Sequence, residues 1–566
     1  MRFILLKSIF LIQILISLAS GAAHSADRLA VFAKPTRIRT LSADQASPIN
    51  DPETIHPAYY AEMFGKSMFD RPSLSENYVS EQGHFKIHYT VSGADAVPLT
   101  STNPDGVPDW VYDAARSAER VYRILVDTLH FDPPPGDNNT DGPEYDIFLR
   151  DWPRDDNYGV TYPENEIQQT NRPYDYSSYI VIDNDFAEEI YYTRGPDALH
   201  VTIAHEFFHA VQLGYNWHES NGLPGVSTAA DDRYFLEWCS VWMEERAYPA
   251  VDDYFQYLPL FFYSPEESLW SNYYHYSLGM FIRYITDLYG EQILAQIWEK
   301  IKDDFAFTAL DETLAQYGTG TAALWNEFVR RSYFTGSRYD EIQALSPDAR
   351  DFPLLQFPSN NSANLVDEVD FEITGEPFST NLIMVAVESN MLIGLKNFAG
   401  LDQGFYGSLI LNKDSGEDIS EPFTFYTDFL IGEAGPGDSL GIFVTNNDVQ
   451  NDVAYSLTVA QFPDTVSYPS VFLALYPNPL GMYLESDLNF KLQLGRRLSS
   501  LECSIINLLG QELLRVKYEA AELQFGPNIL HIPYELIAGK NPPSGVYFIV
   551  CRVGSKTVSR KFTIIR

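Results

Sequence analysis

The sequence predicts a multidomain chain in which an α+β domain is followed by two all-β sandwich modules. Three observations carry that expectation. From residue 84 to about 340, apolar segments with strand-like spacing come first and segments with helical spacing follow. From 341 the pattern changes to short alternating runs separated by turn residues. The third is charge: from Tyr476 onward 11 Lys and Arg face 7 Asp and Glu, while the whole chain carries a formal −39. A balance that turns from strongly acidic to slightly basic marks a separate module. With 566 residues and 45% hydrophobic content, several cores are affordable.

The amino end has a basic start, Met1 to Lys7, then an apolar run over Ile9–Ile16 and small residues from Ala19 to Ala23. This is the layout of a signal peptide, assigned to 1–26 with cleavage between 19 and 26. The run is too short for a membrane anchor, and no later stretch of about 18 apolar residues exists. The mature protein is therefore expected outside the cytoplasm, secreted or attached to the cell surface, without a transmembrane anchor. Residues 27–83 hold a Pro- and Ser-rich stretch between Ser47 and Pro72 without periodicity, and read as an N-terminal extension or propeptide. It contains no cysteine, so it could not silence a metal through a thiolate. The acidic net charge repels phosphates and excludes nucleic acid as a partner.

Within 84–340, strands are expected at 85–91, 145–149 and 179–182, with a helix near 109–127. Two helices follow over 197–213 and 233–246, then three more at 277–289, 291–302 and 321–333. The module at 341–467 has strands at 382–387, 406–411, 440–444 and 455–459, spaced as in a sandwich. The last module, 470–566, reads as a small Ig-like sandwich with tight turns. Of the three cysteines, Cys503 and Cys551 share this module and could pair, and Cys239 is expected as a buried thiol.

The most informative local pattern is His205-Glu-Phe-Phe-His209. It lies in a stretch free of Gly and Pro with helical spacing. Residues i and i+4 share a helix face, so both imidazoles can reach one metal ion. Glu206 sits about 100° round the helix, beside the metal rather than on it, where it can hold a water. Two imidazoles and a poised carboxylate suit zinc-dependent hydrolysis. Glu237, early in the next helical segment, is the candidate third ligand. Glu244 follows two turns later on the same face and could hold the far nitrogen of a metal-binding histidine. His200 is about 140° off the ligand face and reads as structural or exposed. His84 and His88 read as an ordinary strand face.

The stretch from His205 to Gln212, followed by Leu236 to Glu244, resembles the gluzincin metallopeptidases. Within that clan it is similar to secreted bacterial metalloproteases carrying a type IX secretion sorting domain. His84–Gly93, Asn103–Trp110 and Tyr145–Arg150 extend the resemblance over roughly 84–335. One position departs: many gluzincins have Gly after the ligand Glu, where this chain has Trp238. Leu475–Leu480, Cys503–Leu513, Pro543–Val553 and Lys561–Arg566 resemble the type A sorting domain across about 90 residues.

The resemblance implies a zincin-like domain that binds Zn2+ through His205, His209 and Glu237. It also implies Glu206 as general base, and His275 or Tyr276 as a donor to a developing oxyanion. It implies a protein or peptide substrate and export through the type IX machinery. A surface adhesin on a zincin scaffold, or a zinc hydrolase acting on another substrate, are the rival readings. Calcium is a further candidate ligand, at Asn103, Asp105 and Asp109 around a Gly. The loop Asp137–Gly142 opens like an EF-hand but has Phe148 at position twelve.

Overall fold

The computed structural model describes residues 33–35, 71–151, 157–167, 175–215, 233–269, 274, 276–396, 398–401, 405–413, 416–420, 422, 425, 429–462, 471–476, 478–481, 487–494, 498–523, 526–553 and 556–565. The chain divides into two compact units. One comprises residues 1–259, 275–286 and 291–309, and the other 260–274, 287–290 and 310–566.

The first unit is built on one mixed sheet. Its strands are β1 (Ala33–Pro35), β2 (Glu76–Val79), β3 (Phe85–Tyr89), β4 (Tyr145–Arg150), β5 (Asn157–Ile167) and β6 (Asp175–Asp183), in the spatial order β1-β5-β6-β4-β3-β2. β3, β4 and β6 run parallel, while β2, β5 and β1 are antiparallel to their neighbours. β6 is buried along nearly its whole length, as expected of a central strand covered on both faces. Helices α1 (Asp109–Tyr122) and α2 (Gly195–Gln212) pack against each other and onto this sheet. Strand alternation assigns the faces. On β5, Gly159 and Thr161 meet α2, so Val160 and Tyr162 turn to the opposite face and join Phe148, Tyr179 and Val181 in a separate apolar cluster.

Part of the stretch read as an extension belongs to this sheet. β2 lies within 27–83 and forms an edge, and Arg71 just before it bonds Asp137, Asp146 and Glu164. β1 comes from the same stretch and pairs along β5, with Lys34 opposite Gly159.

Every residue of α2 from Ala198 to Gln212 is buried except His200. A helix enclosed all round is a core helix, which explains why apolar residues occur on more than one face. α3 (Arg233–Ala247) lies across it. α4 (Gly279–Tyr289) approaches α3 so closely that a Cβ on Gly279 would stand 2.5 Å from Val241, and only glycine allows the contact. α5 (Gln292–Ile301) presents Trp298 to the rings of Phe208 and Phe235.

The second unit contains helix α6 (Thr321–Arg331) and two β-sandwiches. In the first, a five-stranded sheet is ordered Gly416–Ile419, Phe405–Lys413, Ser439–Asn446, Thr380–Val387, Ser362–Leu365. A four-stranded sheet is ordered Phe429–Ala434, Met391–Lys396, Val453–Gln461, Glu368–Gly375. Inward residues of both sheets share one apolar core. Asn326 of α6 is buried here, its Nδ2 donating to the carbonyls of Tyr406 and Phe443 and to the Thr445 hydroxyl. The second sandwich pairs three strands, Val471–Tyr476, Leu488–Leu494 and Gly526–Ile532, with a five-stranded sheet running from Leu480–Gly481 to Glu512–Glu519. Cys503 and Cys551 stand opposite each other on adjacent strands of that sheet and form a disulfide, as their common module suggested. Among the described residues no helix is long and apolar enough to cross a membrane.

Candidate metal centre

α2 and α3 bring His205, His209 and Glu237 together. The Nε2 atoms of the two histidines are 3.0 Å apart. Glu237 Oε2 lies 3.2 Å from the first and 3.6 Å from the second. All three residues are buried, and their ligand atoms fall within 4.8 Å of one another.

Hydrogen bonding on the far side of each ring defines what those nitrogens offer. His205 Nδ1 donates to Glu244 Oε1 at 2.7 Å, and a carboxylate there requires an N–H. His209 Nδ1 donates to Gln212 Oε1 at 2.8 Å. Burial pushes His209 down to about 4, so its ring is neutral. His209 Nε2 therefore carries a lone pair, which faces His205 Nε2 and Glu237 Oε2. The buried Glu237 carboxylate faces His205 Nε2 and interacts with the Tyr276 phenol, though neither oxygen has a hydrogen bond of normal geometry. Two imidazole nitrogens converging with a buried carboxylate oxygen fit a divalent cation, and this set could hold one.

Glu206, also fully buried, is held beside these groups rather than among them. The Thr161 hydroxyl lies 2.8 Å from both Glu206 Oε2 and the Glu206 carbonyl oxygen. Gly159 completes the fit, since a Cβ there would press Ile182, Thr202 and Glu206. Tyr276 stands by the centre, its ring 6.1 Å from that of His205. Burial first, then the Glu237 and Glu206 carboxylates, hold its phenol well above the usual range, so it stays a proton donor. His275 falls outside the described residues.

Glu244 thus holds His205 as its spacing suggested. Cys239 is buried, unpaired in any disulfide and not among the converging atoms. Trp238, at the departing position, is buried between Phe235 and Phe281. Gln212, Thr161 and Ser240 were missed. Gln212 had a readable signal, because it follows His209 by three residues and shares its face. Thr161 had none, since its strand is not evident from the sequence.

The calcium candidates form a hydrogen-bonded turn. Asp109 accepts from the backbone and side chains of Thr102 and Asn103, and Asp105 accepts from Tyr78. Asp137 is engaged by Arg71. His200 pairs with Asp113 and stacks on Tyr248. His84 bonds Glu119. Two further groups, His88–Asp141–Asp146 and Asp183–Asp185–Glu188, bring ligand atoms together among the described residues. In the first, Arg71 and Lys86 already supply positive charge.

Burial pushes Glu237 up to about 7, with His205 pulling the other way. A cation must displace that proton. Affinity for a divalent cation is therefore expected to fall as pH drops below about 7, by up to tenfold per pH unit for one proton. Competition against a chelator across pH 5 to 8 measures it, and a flat profile would contradict the buried carboxyl as a ligand.

A family described as "Family of unknown function (DUF6055)" matches residues 55–307, less than half of the chain. No curated protein matches. Among solved structures, the chain is similar to a periplasmic inhibitor of g-type lysozyme from Aeromonas hydrophila, at 7% identity and a TM-score of 0.14, covering 18% of this chain and 95% of that one. It is also similar to β-glucuronidases. That of Parabacteroides merdae has 11% identity, a TM-score of 0.14 and coverage of 33% and 28%. That of Ruminococcus gnavus has 11% identity, a TM-score of 0.12 and coverage of 38% and 36%. The chain thus spans 28% of the first glucuronidase and 36% of the second. Scores this low carry neither fold nor function.

Proposed function

We propose that the chain is a zinc-dependent endopeptidase of gluzincin type, exported and delivered to the cell exterior by its C-terminal sandwich. The observation that carries the catalytic half is the convergence of two imidazole nitrogens and a buried carboxylate oxygen, with Glu206 alongside. A zinc ion held by His205, His209 and Glu237 supplies Lewis acidity toward a carbonyl and lowers the pKa of a water. Glu206, oriented by Thr161, takes the proton from the attacking water and gives it to the leaving amine. Tyr276 keeps its proton and donates to the oxyanion as it develops. Glu244 orients His205, leaving its Nε2 for the metal.

The test is casein cleavage by the full-length zinc-loaded protein, before and after limited proteolysis upstream of Arg71. Cleavage that disappears with chelator and returns with zinc supports the reading. Stoichiometric zinc without cleavage in either sample would replace it with a binding protein or a hydrolase of another class.

A further inference from the structure

The two histidines of the centre are held differently. His205 is backed by a carboxylate, Glu244, whereas His209 is backed by a carboxamide, Gln212. An amide can face a ring nitrogen with either its oxygen or its nitrogen, and these would select opposite tautomers. Here the choice is made by a second bond. Gln212 Nε2 donates to the carbonyl of Leu236 at 3.2 Å, so Oε1 is turned to His209 Nδ1. Leu236 immediately precedes Glu237, so the amide spans from one ligand to the backbone beside another. Gln212 is fully buried, and the Ser240 hydroxyl lies 3.2 Å from His209 Nδ1.

We infer that Gln212 is a positioning residue of the metal centre. Its amide fixes His209 as the Nδ1–H tautomer, turning the Nε2 lone pair toward the cation site, and ties that orientation to α3 at the root of Glu237. This rests on the metal-binding reading above. The carboxamide also performs the task without adding charge to a site that already holds Glu206, Glu237 and Glu244, where a fourth buried carboxylate would have to be neutralised.

The experiment compares full-length wild type with Gln212→Met and Gln212→Glu by zinc competition against a chelator at pH 8, alongside thermal unfolding of the metal-free proteins. Methionine keeps the volume and removes both bonds; glutamate keeps the acceptor for Nδ1–H and loses the donor to Leu236. Gln212→Met is expected to weaken zinc binding about 10–100-fold. Gln212→Glu is expected to recover at least tenfold of that loss. Wild-type affinity in Gln212→Met would overturn the inference. So would equal weakening in both variants with the metal-free Tm lowered in parallel, since that marks a packing role. A wild type that takes up no zinc would instead overturn the metal-centre reading on which the inference stands.

Discussion

Glu206→Gln is expected to bind one zinc per chain as the wild type does, while peptide hydrolysis falls by about 10²–10⁴-fold, the usual contribution of a positioned general base. The separation of these two effects follows from geometry. Glu206 is not among the converging ligand atoms, and Thr161 holds it from β5 rather than from the ligand helices. Glutamine keeps the shape and can still accept from the Thr161 hydroxyl, but it cannot take a proton from water. Zinc content by mass spectrometry and initial rates on casein check the two halves independently. Loss of zinc in the variant would make Glu206 part of the binding set, and unchanged rates would remove it from catalysis.

Arg71→Met is expected to destabilise the sheet unit by about 3–5 kcal/mol, the range for removing one partner from a buried ionic network. Arg71 grips Glu164 with two bonds of 2.7 Å and also donates to Asp137, Asp146 and the Thr140 carbonyl. Its side chain is 15% exposed and Asp146 only 2%, so water cannot take over the role cheaply. Asp146 also receives His88, and the network thereby joins β3, β4, β5 and the chain before β2. Methionine would retain much of the packing and leave three carboxylates facing one another. Urea unfolding with an unchanged m-value is the measurement. A loss under about 1 kcal/mol would mean that the cluster behaves as a screened surface network.

Legibility in the sequence followed physical simplicity. The metal helix was readable because spacing of four residues and the absence of Gly and Pro need no tertiary context. α4, α5 and α6 fell within a few residues of the expected spans, as did the four expected strands of the first sandwich, while its other five described strands were not anticipated. β5 was missed because Gly159, Pro163 and the acidic residues after it erase the alternation, and its pairing with β6 shifts register there. Thr161 was lost with it. The helix Ala306–Gln316 was also missed. Arg71 lay in a stretch that composition marks as irregular, and its role depends on carboxylates 66 to 93 residues away. Asp109 shows how local bonding overlaps with a ligand pattern. Its spacing suggested an ion, but local donors of the loop satisfy it, as short oxygen-rich turns often do.

The buried amide of Asn326 bears on how such a protein can be divided or recombined. Composition changes near residue 340, yet the preceding helix inserts a side chain between strands that begin more than 60 residues later. Cutting at the compositional seam would strand a polar group made for burial on one fragment and open its socket on the other. The portable piece is the sandwich together with the helix plugged into it, and a graft to another host should carry both.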